Sequence, residues 1–458
     1  MDDRIPTSYK EDIHQFSVAI NNGFYMDNKW ILKDLFEKSL AAKHDNYSIF
    51  DIQFEILKEI IAADSARREF KKQKESYAKT ITGLKAENAS VERIKLAQDQ
   101  LQFMDNSIIA AILLMGQLRS IGDGIAWWFF KYDRALLRLL AEHDYVTPPQ
   151  IGKGLHAEIQ RCAELASQGR PFLLNSITNF LRYGDITVYD IIKGNYELIE
   201  VKSGISRTTR TFNQGRQLAL VQEAIKTGTH SKFGFTLTKI TCNSPLLTYS
   251  KILERVLEEA TANYVSSRVF GDYLSFCVFY TKKIISLPEL QSKAMAEEII
   301  LRSLRVFKTK MDVPLPIMTN ILPTVHFSRV LAPYTIFPIR NDLRFALMTG
   351  EFGILIQLNI TGFERWLRKR GWTTKYIKPP KHLPSKNMPT YIPILQVFNK
   401  NIGKGTEIGI DTLTIAQMEL WMPESIERII LTIMDQLPTT KDQYYTNYFP
   451  NTGKYAWD

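Results

Sequence analysis

The chain has 458 residues, enough for two to four domains, and its 45% apolar and 23% charged residues match a globular protein, not a disordered or membrane-filling one. Three widely spaced cysteines, Cys162, Cys242 and Cys277, exclude a disulfide scaffold and lack zinc-ligand spacing, which fits thiols in a reducing compartment. The formal charge of +10 tilts the expected partners toward polyanions.

The opening Met1-Asp2-Asp3-Arg4 has no apolar signal core, and the apolar run 108–118 meets Arg119 and Asp123 before it could span a bilayer. A cytoplasmic protein without membrane contact is expected. No proline occurs between Pro6 and Pro148, so long helices can form there. Residues 50–103, rich in Lys, Glu, Gln and Ala, read as a long exposed helix or helical hairpin broken near Gly83 or Asn88. Apolar helices at 107–118 and 125–140, the second with Trp127 and Trp128, would form the core of a helical domain over residues 1–150. Its exposed helices are where a second copy or a partner protein would dock.

Residues 154–168 read as a helix with Leu155, Ile159, Cys162 and Ala166 in one stripe, closed by Gly169. Glu158 falls inside that apolar arc and Glu164 opposite it; an inward acid needs a partner, unless Glu158 sits at the margin and reaches solvent. A first strand with an irregular pattern is expected within 172–181. Then comes a β-hairpin, residues 184–190 and 197–204 around Lys193-Gly194-Asn195, with Ile, Val, Thr and Tyr on either side. Glu200 and Lys202 are two apart and so share a face. If Ile192 pairs with Asn195 or Tyr196, Asp185 lies across from Lys202 or Ser203. Two carboxylates and an ammonium then converge at one strand end, as Mg²⁺ binding and water activation beside a phosphodiester require. Asp190 points to the other face by strand alternation and becomes the rival ligand if the turn is longer. An edge hairpin with a solvated face is the plainer reading.

Residues 212–227 read as a helix with Gln214, Leu218, Val221 and Ile225 on one face and Gln217 beside them, and 233–238 as a buried strand. Between Val201 and Gln222 there is no acid while Lys202, Arg207, Arg210 and Arg216 accumulate, making that region positive. Residues 246–458 look mixed, with helices at 250–264 and 288–308 and strands at 274–280, 345–348 and 354–360. Within them, residues 365–386 hold Arg365, Arg368, Lys369, Arg370 and four lysines, no acid, and the aromatics Trp366, Trp372 and Tyr376. That pattern suits either phosphate contact with base stacking or a solvated face. Gly403-Lys404-Gly405-Thr406 lacks the frame of a phosphate-binding loop.

Asp185 followed on the next strand by Glu200-Val201-Lys202 resembles the PD-(D/E)xK nuclease superfamily, whose pattern is an Asp and then Glu-x-Lys. The same tripeptide spacing at Asp27-Asn28-Lys29 and Glu69-Phe70-Lys71 has no acid-bearing strand before it. The resemblance covers about residues 151–240 and departs from the common Pro-Asp in having Gly184-Asp185. It implies an α/β multidomain protein: a restriction-endonuclease-like αβββαβ core at 151–245, a helical domain at 1–150 and a mixed α/β accessory region at 246–458. It also implies a Mg²⁺- or Mn²⁺-dependent endonuclease on DNA, of the kind that serves bacterial genome defence or repair. Asp185, Glu200 and the Val201 carbonyl would hold the metal, Lys202 would orient the water and stabilise phosphate charge, and Glu158 would bind a second metal or tune the first. An amide on the second helix, Gln214 or Gln217, would reach the site. Arg207, Arg210, Arg216, Arg368, Lys369 and Arg370 would meet nucleic acid. The rivals are a non-catalytic binding or scaffold protein on a degenerate core and a nuclease switched by a partner.

Overall fold

The computed structural model describes residues 18–42, 46–141, 154–181, 183–201, 209–227, 229–232, 235–238, 240–241, 246–281, 283, 291, 317–320, 332–377, 393–436 and 450–451. Lys202, Arg207, Cys242 and nearly all of the helix expected at 288–308 lie outside them. The proline-free segment forms α1 (Gly23–Ala41), α2 (Asn46–Ala86), α3 (Val91–Phe129) and the short α4 (Arg134–Ala141). The α2–α3 break falls at Asn88, whose φ of +52 is left-handed backbone that Asn tolerates better than most residues. Ser90 then caps α3 by accepting from the Arg93 amide.

The helices expected at 107–118 and 125–140 are not separate: α3 runs unbroken to Phe129. Arg119 and Asp123, which interrupt the apolar run in sequence, are buried, and Asp123 accepts from the amide (2.7 Å) and side chain (2.8 Å) of Asn179. By length and composition α3 could cross a membrane, but 78% of its most apolar window is buried within the protein, so it serves here as the central core helix. Trp127 is fully buried in that core.

Next come α5 (Leu155–Ser167), β1 (Phe172–Leu174), β2 (Ile186–Asp190), β3 (Asn195–Ile199), α6 (Thr209–Thr227), β4 (Thr229–Lys232) and β5 (Phe235–Thr238). β1, β2 and β3 form an antiparallel sheet in that order. β1 is shorter than the strand expected within 172–181, because Asn175 starts a single helical turn, Asn175–Ile177. Helix α2 closes the free edge of β1: the Gln53 amide donates to the Phe172 carbonyl and accepts from the Leu174 amide, while Phe50 stacks on Phe172 at 4.7 Å. β4 and β5 pair with each other and, among the described residues, join neither edge of the β1–β3 sheet.

After β6 (Ile240–Thr241) and α7 (Ser250–Asn263), β7 (Val265–Phe270), β8 (Leu274–Tyr280), β9 (Ile317–Asn320) and β10 (Phe352–Leu358) make an antiparallel sheet ordered β7-β8-β10-β9. The strand expected at 345–348 is instead the end of α8 (Asn341–Met348); a short buried apolar run has no period to tell helix from strand. Then α9 (Ile360–Lys369) leads into a second antiparallel sheet of β11 (Trp372–Tyr376), β12 (Pro393–Asn399) and β13 (Lys404–Gly409). α10 (Ile410–Met418) and α11 (Pro423–Gln436) follow, and β14 (Pro450–Asn451) pairs in parallel with β6. The described fold is thus mixed α/β. The buried residues from Ala19 to Met434 form one continuous core across the three expected segments. A fully buried ion pair ties them, Arg134 at the head of α4 gripping Glu419 with both amino groups while Trp127 and Trp421 flank the guanidinium.

Candidate active site

The β2–β3 hairpin carries the site, and its register differs from the sequence reading. Asp190 pairs with Asn195, so the turn spans residues 191–194. The Asp190 carboxylate fixes this turn by accepting from the Ile192 and Lys193 amides at 3.0 Å each, and Gly194 takes φ +65. Asp190 is therefore a turn residue, held below the usual carboxylate range chiefly by the Lys193 amide.

The ladder ends at Ile186↔Ile199, so Asp185 and Glu200 are the residues just beyond its end, and this register does not set Asp185 opposite Lys202 or Ser203. The Asp185 amide donates to the Ile199 carbonyl at 2.8 Å, and Asp185 Oδ2 accepts from the Val201 amide at 2.6 Å. Val201 thus meets Asp185 through its N–H. Gly184 takes φ +73, which a proline ring cannot adopt, so the departure from Pro-Asp follows from local backbone geometry.

Two polar residues that sequence reasoning passed over position this loop. Asn175, buried at the end of β1, donates to the Tyr183 (2.9 Å) and Gly184 (3.1 Å) carbonyls and accepts from the Thr187 hydroxyl; its amide also donates to the Asp185 carbonyl. Its signal in the sequence is an amide directly after the apolar triplet Phe172-Leu173-Leu174. On α6, Gln222 and not Gln217 meets the hairpin: it donates to the Tyr196 carbonyl at 2.7 Å and accepts from the Leu198 amide at 2.8 Å, whereas Gln217 is exposed. The Gln214 side chain lies outside the described residues.

Glu158 sits in the first turn of α5, half-buried. Its stripe is rotated from expectation: Cys162 and Leu165 are buried while Ile159 is exposed. Burial first, then repulsion from Asp185 and Glu200, pushes the Glu158 carboxyl up to about 7. Burial raises Asp185 too, against the opposing effect of the Val201 amide. The Cys162 thiol is pushed up to about 12, by burial and then by Glu158, and is an inert core group.

Glu158 thus feels the charge of both Asp185 and Glu200, and a divalent cation would relieve that repulsion. Among the described residues no three His, Cys, Asp or Glu side chains lie close enough to share one ion. Electrostatic coupling reaches farther than coordination, so Glu158 can feel both acids without sharing an ion with them, and Asp185 and Glu200 remain the pair that could hold one. Such a pair suits Mg²⁺, which takes one or two carboxylates and keeps several waters.

The other expected contacts divide. Arg216 is exposed on α6, and Arg210 lies on α6 with its side chain undescribed. Farther on, Arg370 binds Glu427 at 2.8 Å and stacks over Trp366, and Arg368 binds Thr374 Oγ1 at 2.8 Å and lies 3.4 Å from Glu364. Lys369 makes no ion pair among the described residues. Trp372, expected as a stacking surface, is buried and donates to Glu427. Comparison of the chain with protein-family models, curated proteins and solved structures returned no match.

Proposed function

We propose that the chain is a Mg²⁺- or Mn²⁺-dependent nuclease that hydrolyses phosphodiester bonds in DNA, built on a restriction-endonuclease-like core at residues 151–245. The observation that carries the reading is the end of the β2–β3 ladder at Ile186↔Ile199, directly beyond which Asp185 and Glu200 lie, with Glu158 of α5 close enough to be repelled by both. The order α5, β1, β2, β3, α6, β4 supports it as an αβββαβ succession. Asp185 and Glu200 would hold the cation, which when bound polarises a phosphoryl oxygen and lowers the pKa of a water. Lys202, beside them in sequence, would orient that water and stabilise charge on the phosphate. Arg210 and Arg216 on α6, with Arg207 before them, would draw in the phosphate backbone.

Cleavage of plasmid and of single-stranded DNA by the purified protein, in Mg²⁺, in Mn²⁺ and in chelator, tests the proposal. Asp185→Ala, Glu200→Ala and Lys202→Ala should each lose nearly all cleavage while keeping wild-type circular dichroism. Wild-type cleavage in chelator, or full activity of the Asp185→Ala protein, refutes it.

A further inference from the structure

The N-terminal helices and residues 332–348 enclose a cleft that the nuclease reading does not use. Its cavity of about 80 Å³ is walled by Leu40, Ile49, Ile125, Trp128 and Ile336. The walls meet because residue 124 is glycine: a Cβ there would lie 2.4 Å from Thr335 Oγ1. Polar groups line it as well: Arg344 of α8 and Tyr132 from the turn after α3, with the hydroxyl residues Ser39 and Thr335. The partly buried Arg344 guanidinium donates through Nε to the Ile339 carbonyl at 2.8 Å, and its two amino groups have no partner among the described residues. Burial holds this arginine below its usual range, with Tyr132 and Glu254 in its electrostatic surroundings. Glu254 is itself 3.6 Å from Arg340. The Tyr132 hydroxyl makes no hydrogen bond among the described residues. The amino groups of Arg344 and the Tyr132 hydroxyl are thus open to an incoming ligand, and the parallel N–H pair of a guanidinium matches a carboxylate.

We propose that this cleft binds a short-chain aliphatic monocarboxylate, its carboxylate on the amino groups of Arg344 and the hydroxyl of Tyr132, its alkyl body between Ile125, Trp128 and Ile336. Size sets the chain length: a cavity of roughly 150 Å³ accepts one benzene ring, so this one takes a body of a few carbons and excludes nucleotides and fused rings. A phosphate would bring more oxygens and more charge than one guanidinium and one phenol can serve. The bound acid would bridge the N-terminal helices to α8.

Ligand-observed NMR titration of the full chain with butyrate, 1-butanol and inorganic phosphate tests this. Butyrate should bind saturably and about tenfold or more tighter than 1-butanol, as a charge-assisted pair requires, and phosphate should neither bind nor compete. Arg344→Met should abolish butyrate binding. Because Arg344 also holds the Ile339 carbonyl, Tyr132→Phe supplies a milder second variant, which should bind roughly three- to tenfold more weakly. Equal binding of butyrate and 1-butanol, unchanged butyrate binding in both variants, displacement of butyrate by phosphate, or no saturable butyrate binding at millimolar concentration overturns the proposal.

Discussion

Replacing Glu158 with glutamine should stabilise the protein in chelator above neutral pH and leave it nearly unchanged in mild acid. Burial and the charges of Asp185 and Glu200 raise this carboxyl from 4.5 to about 7 in the folded chain. A carboxyl whose folded pKa exceeds its unfolded one costs nothing below the unfolded value, and its cost grows through that window to a plateau above the folded value. The full shift corresponds to at most ~3.4 kcal/mol, and solvent screening of this half-buried group leaves roughly 1–2 kcal/mol. At about 2.1 cal/mol/K of unfolding entropy per residue, a 458-residue chain melting as one unit gains roughly 1 °C per kcal/mol. Calorimetry in chelator should therefore show Glu158→Gln melting about 1–2 °C above wild type near pH 8 and level with it near pH 5. Added Mg²⁺ should narrow the difference by relieving the same repulsion in the wild type. A variant that is less stable at both pH values, or one whose gain is equal at both, refutes the claim that Glu158 is strained by Asp185 and Glu200.

Asp190→Ala removes two turn hydrogen bonds at the far end of the hairpin, so it should cost about 1 kcal/mol of stability and leave DNA cleavage largely intact; a dead enzyme with normal stability would restore Asp190 as a ligand. Gly184→Ala should cost at least ~1 kcal/mol from its left-handed backbone, with its Cβ also placed 3.0 Å from the Ile199 carbonyl, and should depress cleavage by displacing Asp185; wild-type melting and turnover would count against that. Glu419→Gln leaves the buried Arg134 charge without its counter-ion and should destabilise by about 3–5 kcal/mol in denaturant unfolding. An apolar double replacement of Arg134 and Glu419 should recover part of that loss.

The hairpin is legible in the sequence because alternation and turn residues act locally. Its register is not, because the Asp190 carboxylate closes a longer turn: Asn195 pairs with Asp190 and not with Ile192, and the ladder ends at Ile186↔Ile199 without setting Asp185 opposite Lys202 or Ser203. Helix α6 is equally visible from its periodicity, yet its rotation against the sheet is set by packing, and that rotation brings Gln222 to the Tyr196 carbonyl while leaving Gln217 in solvent. The stripe of α5 is rotated in the same way. The basic run at 365–386 reads as one patch because sequence shows charge without geometry; folded, Arg370 answers Glu427, an acid 57 residues away. The fourth strand is the case where succession of elements does not decide pairing, since β4 meets β5 and not β3 among the described residues.

What separates a functional hairpin from a solvated edge is where stability is placed around it. Gln53 of α2 occupies the outer edge of β1, Asn175 ties the loop that carries Asp185, and Gln222 of α6 fills the open backbone groups of β3. Each is an amide satisfied on both its donor and its acceptor side, and so fixes position as well as adding energy. An ordinary edge strand needs only surface charge to stay unpaired, as the Arg170–Glu197 pair at 3.1 Å on the outer face of β3 illustrates. These amides instead brace the sheet whose end carries Asp185 and Glu200, the two acids that repel Glu158. A fold that braces from two helices and a neighbouring strand the sheet beside which Glu158 is repelled by Asp185 and Glu200 has the local conflict expected of a binding or catalytic centre, and under the proposed nuclease reading a bound cation would relieve it.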